Sequence, residues 1–216
     1  LLAIHGLNDG LGSSDFLISP QLVASGAAAV GISPTAVIYS GGATLNTTGE
    51  VRARVLDGGE WSALTEATFI VGTAASAANL VVSEIMYHPG GGTPHEFVEV
   101  MNISPTETIE LTGVKFTAGI SFEFPVGTTL APGGRLLVVE DRVAFETEYG
   151  AGHPVAGQYT GKLDNGGEQL VLTVADDSVI IKDFSYDDEG AWPQGADGSG
   201  YSLVLIAPQE NPDHNE

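Results

Sequence analysis

Apolar residues in this chain come in short runs separated by Gly- and Pro-rich turns. In Glu50–Leu56, Val51, Ala53 and Val55 alternate with Arg52, Arg54 and Leu56, the period-two pattern of a half-buried strand. Ala36–Tyr39 with a Gly41-Gly42 turn precedes it, and an Asp57-Gly58-Gly59 turn leads on to Trp61–Val71. Asp57-Gly58 is a hairpin signal because both residues tolerate positive φ. Further strands are predicted at Leu80–Tyr87, Glu96–Asn102, Ile109–Phe116, Ser121–Phe124, Arg135–Glu140, Gln169–Val174, Val179–Tyr186 and Ser202–Ile206. Pro132-Gly133-Gly134 and Asn165-Gly166-Gly167 are among the turns between them. Only Arg142–Tyr149 reads as a helix. The fold class is all-β, and many short strands with regular turn punctuation describe a sandwich.

Two small-residue stretches, Ala24–Ala29 and Thr73–Ala78, carry no large apolar side chain to bury and read as linkers. The organisation expected is therefore 1–23, the closing strands of an upstream β domain; 24–73, a small β-sandwich piece; 74–78, a linker; and 79–216, the main sandwich. The chain opens on Leu1-Leu2-Ala3-Ile4, which reads as strand interior, so a piece of a longer protein is expected. No signal peptide is visible, which says nothing about where the protein resides.

Charge and composition narrow the classes. The 216 residues hold seven Lys and Arg against 28 Asp and Glu, a formal charge of −21. Binding to bare nucleic acid, where cations must neutralise phosphate, is excluded on that ground. The charge is uneven: two Arg face six acids before residue 79, and five Lys and Arg face 22 acids from Leu80 onward. No apolar run approaches the roughly 18 residues of a membrane span, so no membrane insertion is expected. With no Cys there is no disulfide framework, thiolate nucleophile or Cys-ligated zinc.

Three constellations could carry chemistry. In the hairpin around His88–His95, symmetric pairing sets His88 against His95, Tyr87 against Glu96 and Glu84 against Glu99. Facing carboxylates repel unless a cation or shared proton intervenes, which makes Glu84 and Glu99 metal candidates. The bland alternative is that both reach water. The acidic stretch with Asp187, Asp188 and Glu189, together with Asp197, offers the hard oxygens that Ca²⁺ takes, although its spacing fits no EF-hand. Its bland reading is a solvated loop. Asp164, Asn165 and Glu168 form a weaker set, better explained as a hairpin turn. Third, Trp61, Tyr87, Trp192 and Tyr201 lie in or beside loops; Trp192 and Tyr201 are the candidates for stacking on sugar rings. Packing is the commoner use of such aromatics, with Trp192-Pro193 as a plug closing the sandwich.

Nothing marks an enzyme. There is no Gly-x-Ser-x-Gly elbow, all five His lie near turns or chain ends, and no Gly-rich loop precedes a helix. The fragment is expected to be non-catalytic and to need no cofactor, with Ca²⁺ as the one ion its acids invite.

Several motifs in order resemble the lamin tail domain, an immunoglobulin-like sandwich of nuclear lamins and of many exported bacterial proteins. They are Leu80–Pro89, Glu96–Asn102, Ile109–Phe116 (with Val114 where the family usually has Trp), Phe122–Gly134, Leu163–Leu170 and Ala191–Leu203, spanning about 79–206. Thr47–Arg54 with Gly59–Ser62 is similar to the C-terminal repeat of chitobiase, and Leu2–Asn8 with Ser14–Ile18 to the end of a jelly-roll sugar-binding domain. The resemblance implies an extracellular or cell-surface module acting as spacer, tether or protein-interaction domain, with a carbohydrate-binding accessory module as the alternative. Partners implied are other domains of the same chain, cell-surface proteins or polysaccharide.

Overall fold

The computed structural model describes residues 21–22, 36–38, 41, 44–57, 60–174 and 179–214. The expected strands in 2–8 and 14–18, the stretch 24–29 and the turn residues Gly58 and Gly59 lie outside them. The chain divides into two compact units, Leu1–Val71 and Gly72–Glu216. No helix among the described residues is long and apolar enough to cross a membrane.

Among the described residues, the first unit shows three antiparallel pairings: Gln21–Leu22 with Val37–Ile38, Gly49–Ala53 with Thr65–Phe69, and Leu56–Asp57 with Glu60–Trp61. The Arg-bearing face of Gly49–Ala53 is held by ion pairs, Arg52 Nε lying 3.0 Å from Glu50 and 2.9 Å from Glu66. The Arg54 guanidinium sits 4.2 Å above the Trp61 ring, a cation–π contact. Val51 is the only buried apolar residue among those described here.

The second unit is a two-sheet sandwich. The first sheet runs, in spatial order, Val155–Gln158, Arg135–Val139, Phe97–Asn102, Leu80–Met86 and Leu203–Val204. The second runs Thr160–Gly161, Ile120–Glu123, Val114–Ala118, Glu168–Val174 and Ile180–Tyr186. Side chains from both, Leu80, Val98, Val100 and Val138 against Phe116, Leu170, Leu172 and Phe184, form one buried core. A three-strand group of Thr129–Leu130, Ile109–Glu110 and Thr73–Ala74 completes the unit.

Phe97–Asn102 is buried along its whole length. Val98 and Val100 point into the core, and Phe97 on the opposite face meets a second cluster with Met86, Leu137, Val139 and Phe145. Phe145 belongs to the single α-helix among the described residues, Arg142–Tyr149, expected at these bounds. Asp141 caps it, Oδ1 accepting from the Ala144 amide at 2.8 Å, and Phe145 and Tyr149, one turn apart, both meet the Phe97 ring edge-on. A strand covered on both faces needs no alternation, which is why this one reads as a continuous apolar run.

Two expectations need correcting. Ile109–Phe116 is two strands in different sheets, separated by a turn at Gly113 with φ 74°. The stretch 74–78 is part of the second unit: Thr73–Ala74 pairs in parallel with Ile109–Glu110, Ala75 is buried, and Asn79 Oδ1 accepts from the Ser76 amide at 2.7 Å. Bulges also displace the simple period. One between Leu172 and Thr173 leaves Ile181 in the core and Lys182 half-buried outside it.

Candidate functional site

The two edges of the sandwich are built differently. At one, Val155–Gln158 of the first sheet and Thr160–Gly161 of the second are joined by the single residue Tyr159, so this edge is closed by the chain itself. Across the gap, the sheets come so close at Gly157 that a Cβ there would lie 2.7 Å from the Phe122 ring. At the other edge, Ile180–Tyr186 and Leu203–Val204 end their sheets and are joined only through the long loop of residues 187–202, and a groove of about 530 Å³ opens there. Its walls include Val82, Ile85, Phe184, Trp192 and Leu203, with Glu84 and Asp213 as acids.

The C-terminal segment lies along this groove. His214 Nε2 is 2.9 Å from the Val82 carbonyl and its ring packs on Phe184 at 4.8 Å. Burial holds the His214 imidazole below its ordinary pKa, only partly offset by the Val82 contact. Asn211 fastens the same segment, accepting from Lys182 Nζ at 2.7 Å and donating to the Ala77 carbonyl at 3.1 Å. Beside the groove Tyr201, Val204 and Ile206 are 69%, 59% and 87% exposed.

The residues singled out in the sequence converge only in part. Trp192 stands in the groove wall, half-buried and packed on the core. Tyr201 lies outside the groove, its ring over Gly195. Asp187 accepts from the Glu189 amide at 2.9 Å, and Gln194 donates to the Asp188 carbonyl at 2.8 Å, so this loop is fastened by its own bonds. Asp197 Oδ1 is 2.6 Å from His88 Nδ1, and the two residues bridge in parallel. The regular ladder of the hairpin ends at Met86–Phe97, so His88 takes Asp197 as its neighbour rather than His95. Glu84 and Glu99 face one another in the ladder as the symmetric pairing requires. Each has its own partner: Ser202 Oγ donates to Glu84 at 2.5 Å, while Ser83 Oγ at 2.7 Å and Arg135 hold Glu99. Among the described residues no three of His, Asp and Glu are grouped to hold a metal ion.

One buried group escaped the sequence reading. Glu96 is fully buried, its Oε2 accepting from Tyr159 Oη at 3.1 Å and from the Leu163 amide at 2.9 Å. Period two places Glu96 on the face of Val98 and Val100, the signal that marks it as core-facing.

A two-sheet immunoglobulin-like sandwich with these motifs in order fits the comparison with known families. The lamin tail domain model matches residues 73–188, more than half of the chain. Comparison with curated proteins and with solved structures gives no match for either. The matched family is one of non-enzymatic immunoglobulin-like domains, and this chain belongs to the lamin tail domain family.

Proposed function

We propose that this chain is a non-catalytic module of an exported bacterial protein that holds an extended protein segment at the open edge of its lamin tail sandwich. The groove between Ile180–Tyr186 and Leu203–Val204 carries this reading. Leu203–Val204 is the last strand of its sheet, so one side of its backbone is available to a further strand. Val204 and Ile206, two residues apart, offer apolar contacts to the alternate side chains of such a strand. Glu84 and Asp213 in the wall and the acids of the adjoining loop favour basic residues in the guest. The sandwich around the groove supplies rigidity, which also suits a spacer or tether between other domains.

Panning a displayed peptide library against the 216-residue chain tests this, with a polysaccharide panel in parallel. Peptides alternating apolar residues with Lys or Arg are expected, with affinity falling roughly tenfold or more in Ile206→Glu, a loss of about 1.4 kcal/mol or more. The exposed Tyr201 ring favours the carbohydrate reading instead. No peptide enrichment, with polysaccharide retention abolished by Tyr201→Ala, would replace the proposal with that alternative.

A further inference from the structure

We infer that Glu96 is a proton-operated clasp on the closed edge: protonated, it holds the crossover between the two sheets, and ionised, it loosens it.

Glu96 sits one residue before Phe97–Asn102 in the first sheet. Its Oε2 reaches Tyr159, the residue at which the chain changes sheets, and the amide of Leu163, just past Thr160–Gly161 in the second sheet. Its own carbonyl accepts from the Glu140 amide at 3.1 Å, beyond the end of Arg135–Val139. One side chain and its backbone thus fasten three segments. Both donors serve Oε2, while Oε1 is buried with no hydrogen-bond partner. Glu140 Oε2 is likewise buried and without a partner, and so is Nδ1 of the adjoining His95.

A fully buried carboxylate with one bare oxygen beside a second carboxylate is costly to ionise. A proton removes the charge without disturbing the bonds to Oε2. The charged and titratable groups around it are Glu140, which opposes ionisation; Lys162, which favours it; and the hydroxyls of Tyr159 and Tyr186. Burial, with Glu140 added, outweighs the Leu163 and Tyr159 hydrogen bonds and pushes Glu96 up to about 7. Burial raises Glu140 as well.

The folded chain therefore holds this proton more tightly than the unfolded chain does. The stabilisation is complete below the ordinary Glu range near pH 4.3, is lost as pH rises, and is gone above about 7. Through that window the unfolding constant rises with a limiting slope of about tenfold per pH unit from this one group.

The experiment follows the carboxyl carbon of Glu96 by ¹³C NMR in the intact chain from pH 4 to 9, with Leu163 amide exchange recorded alongside. A midpoint near 7, with Leu163 protection falling across the same range once intrinsic base catalysis is divided out, is the expected result. Urea unfolding of Glu96→Gln, neutral at every pH, should lack the Glu96 share of the slope between pH 5 and 7. A midpoint at 4–5 overturns the inference whether or not the variant folds, and so does an unchanged slope in a folded variant.

Discussion

The two edges of the lamin tail sandwich solve one problem in opposite ways. A pair of stacked sheets leaves its core open along both sides. On the closed edge the chain steps from sheet to sheet through Tyr159, and Gly157 lets Phe122 fill the gap. On the open edge Ile180–Tyr186 and Leu203–Val204 are bridged by the loop 187–202, with Trp192 in the groove wall, and a C-terminal segment anchored by Asn211 and His214 lies across the groove. A covalent crossover cannot be displaced without unfolding, whereas a segment held by a few contacts can exchange with another chain. That difference is why binding is assigned to one edge and structural integrity to the other.

The two edges also titrate in opposite senses. Burial raises Glu96, so its contribution at the closed edge weakens as pH rises toward 7. Burial lowers His214, so the folded state binds its proton less readily than the unfolded chain, and its contribution is lost as pH falls through its ordinary range near 6.5 and below. Raising the pH toward 7 loosens the joined edge, and lowering it below about 6.5 weakens the strap on the open edge.

Substitutions sharpen the contrast. Gly157→Val drives a side chain into Phe122, and overpacking of this kind should cost about 2–3 kcal/mol in urea denaturation of the whole chain. A neutral result would mean that the sheets can separate there and that the closed edge is not tight. Removing the strap contact by His214→Ala should cost about 1 kcal/mol at pH 8, from the ring packing and the Val82 contact, and progressively less as the pH falls below about 6.5. A loss undiminished at pH 5 would show that protonation does not weaken the strap. The smallest effect concerns the acidic loop, whose Asp187 and Asp197 already have partners. Millimolar Ca²⁺ or EDTA should move the melting temperature by no more than about 1 °C, since a ligand stabilises only what it binds. A rise of several degrees with Ca²⁺ would put a cation among these acids after all.

Much of this molecule was legible in its pattern. Short apolar runs with glycine turns gave the all-β class, Arg142–Tyr149 stood out as the one α-helix among the described residues, and symmetry about His88–His95 set Glu84 opposite Glu99. The sites were less legible. The Glu84–Glu99 pair looked unsatisfied because Ser202 and Arg135, distant in sequence, supply the partners. The acids around Asp187 looked available for an ion because the hydrogen bonds within their loop do not show in composition. His214 appeared to be a tail residue, yet it packs on Phe184.

Sequence by itself determined the period, the turns and hence the strands, because backbone sterics and side-chain alternation act over a few residues. It also determined the family, through motifs kept in order along the chain. Only the tertiary structure decided which strands change sheets, where bulges shift the inward face, and which polar side chains lose contact with water. A carboxyl group's chemistry depends on its burial and its neighbours. Glu96, a strand's first residue in the sequence, becomes a buried proton site only when Tyr159 and Leu163, more than sixty residues further along the chain, close over it.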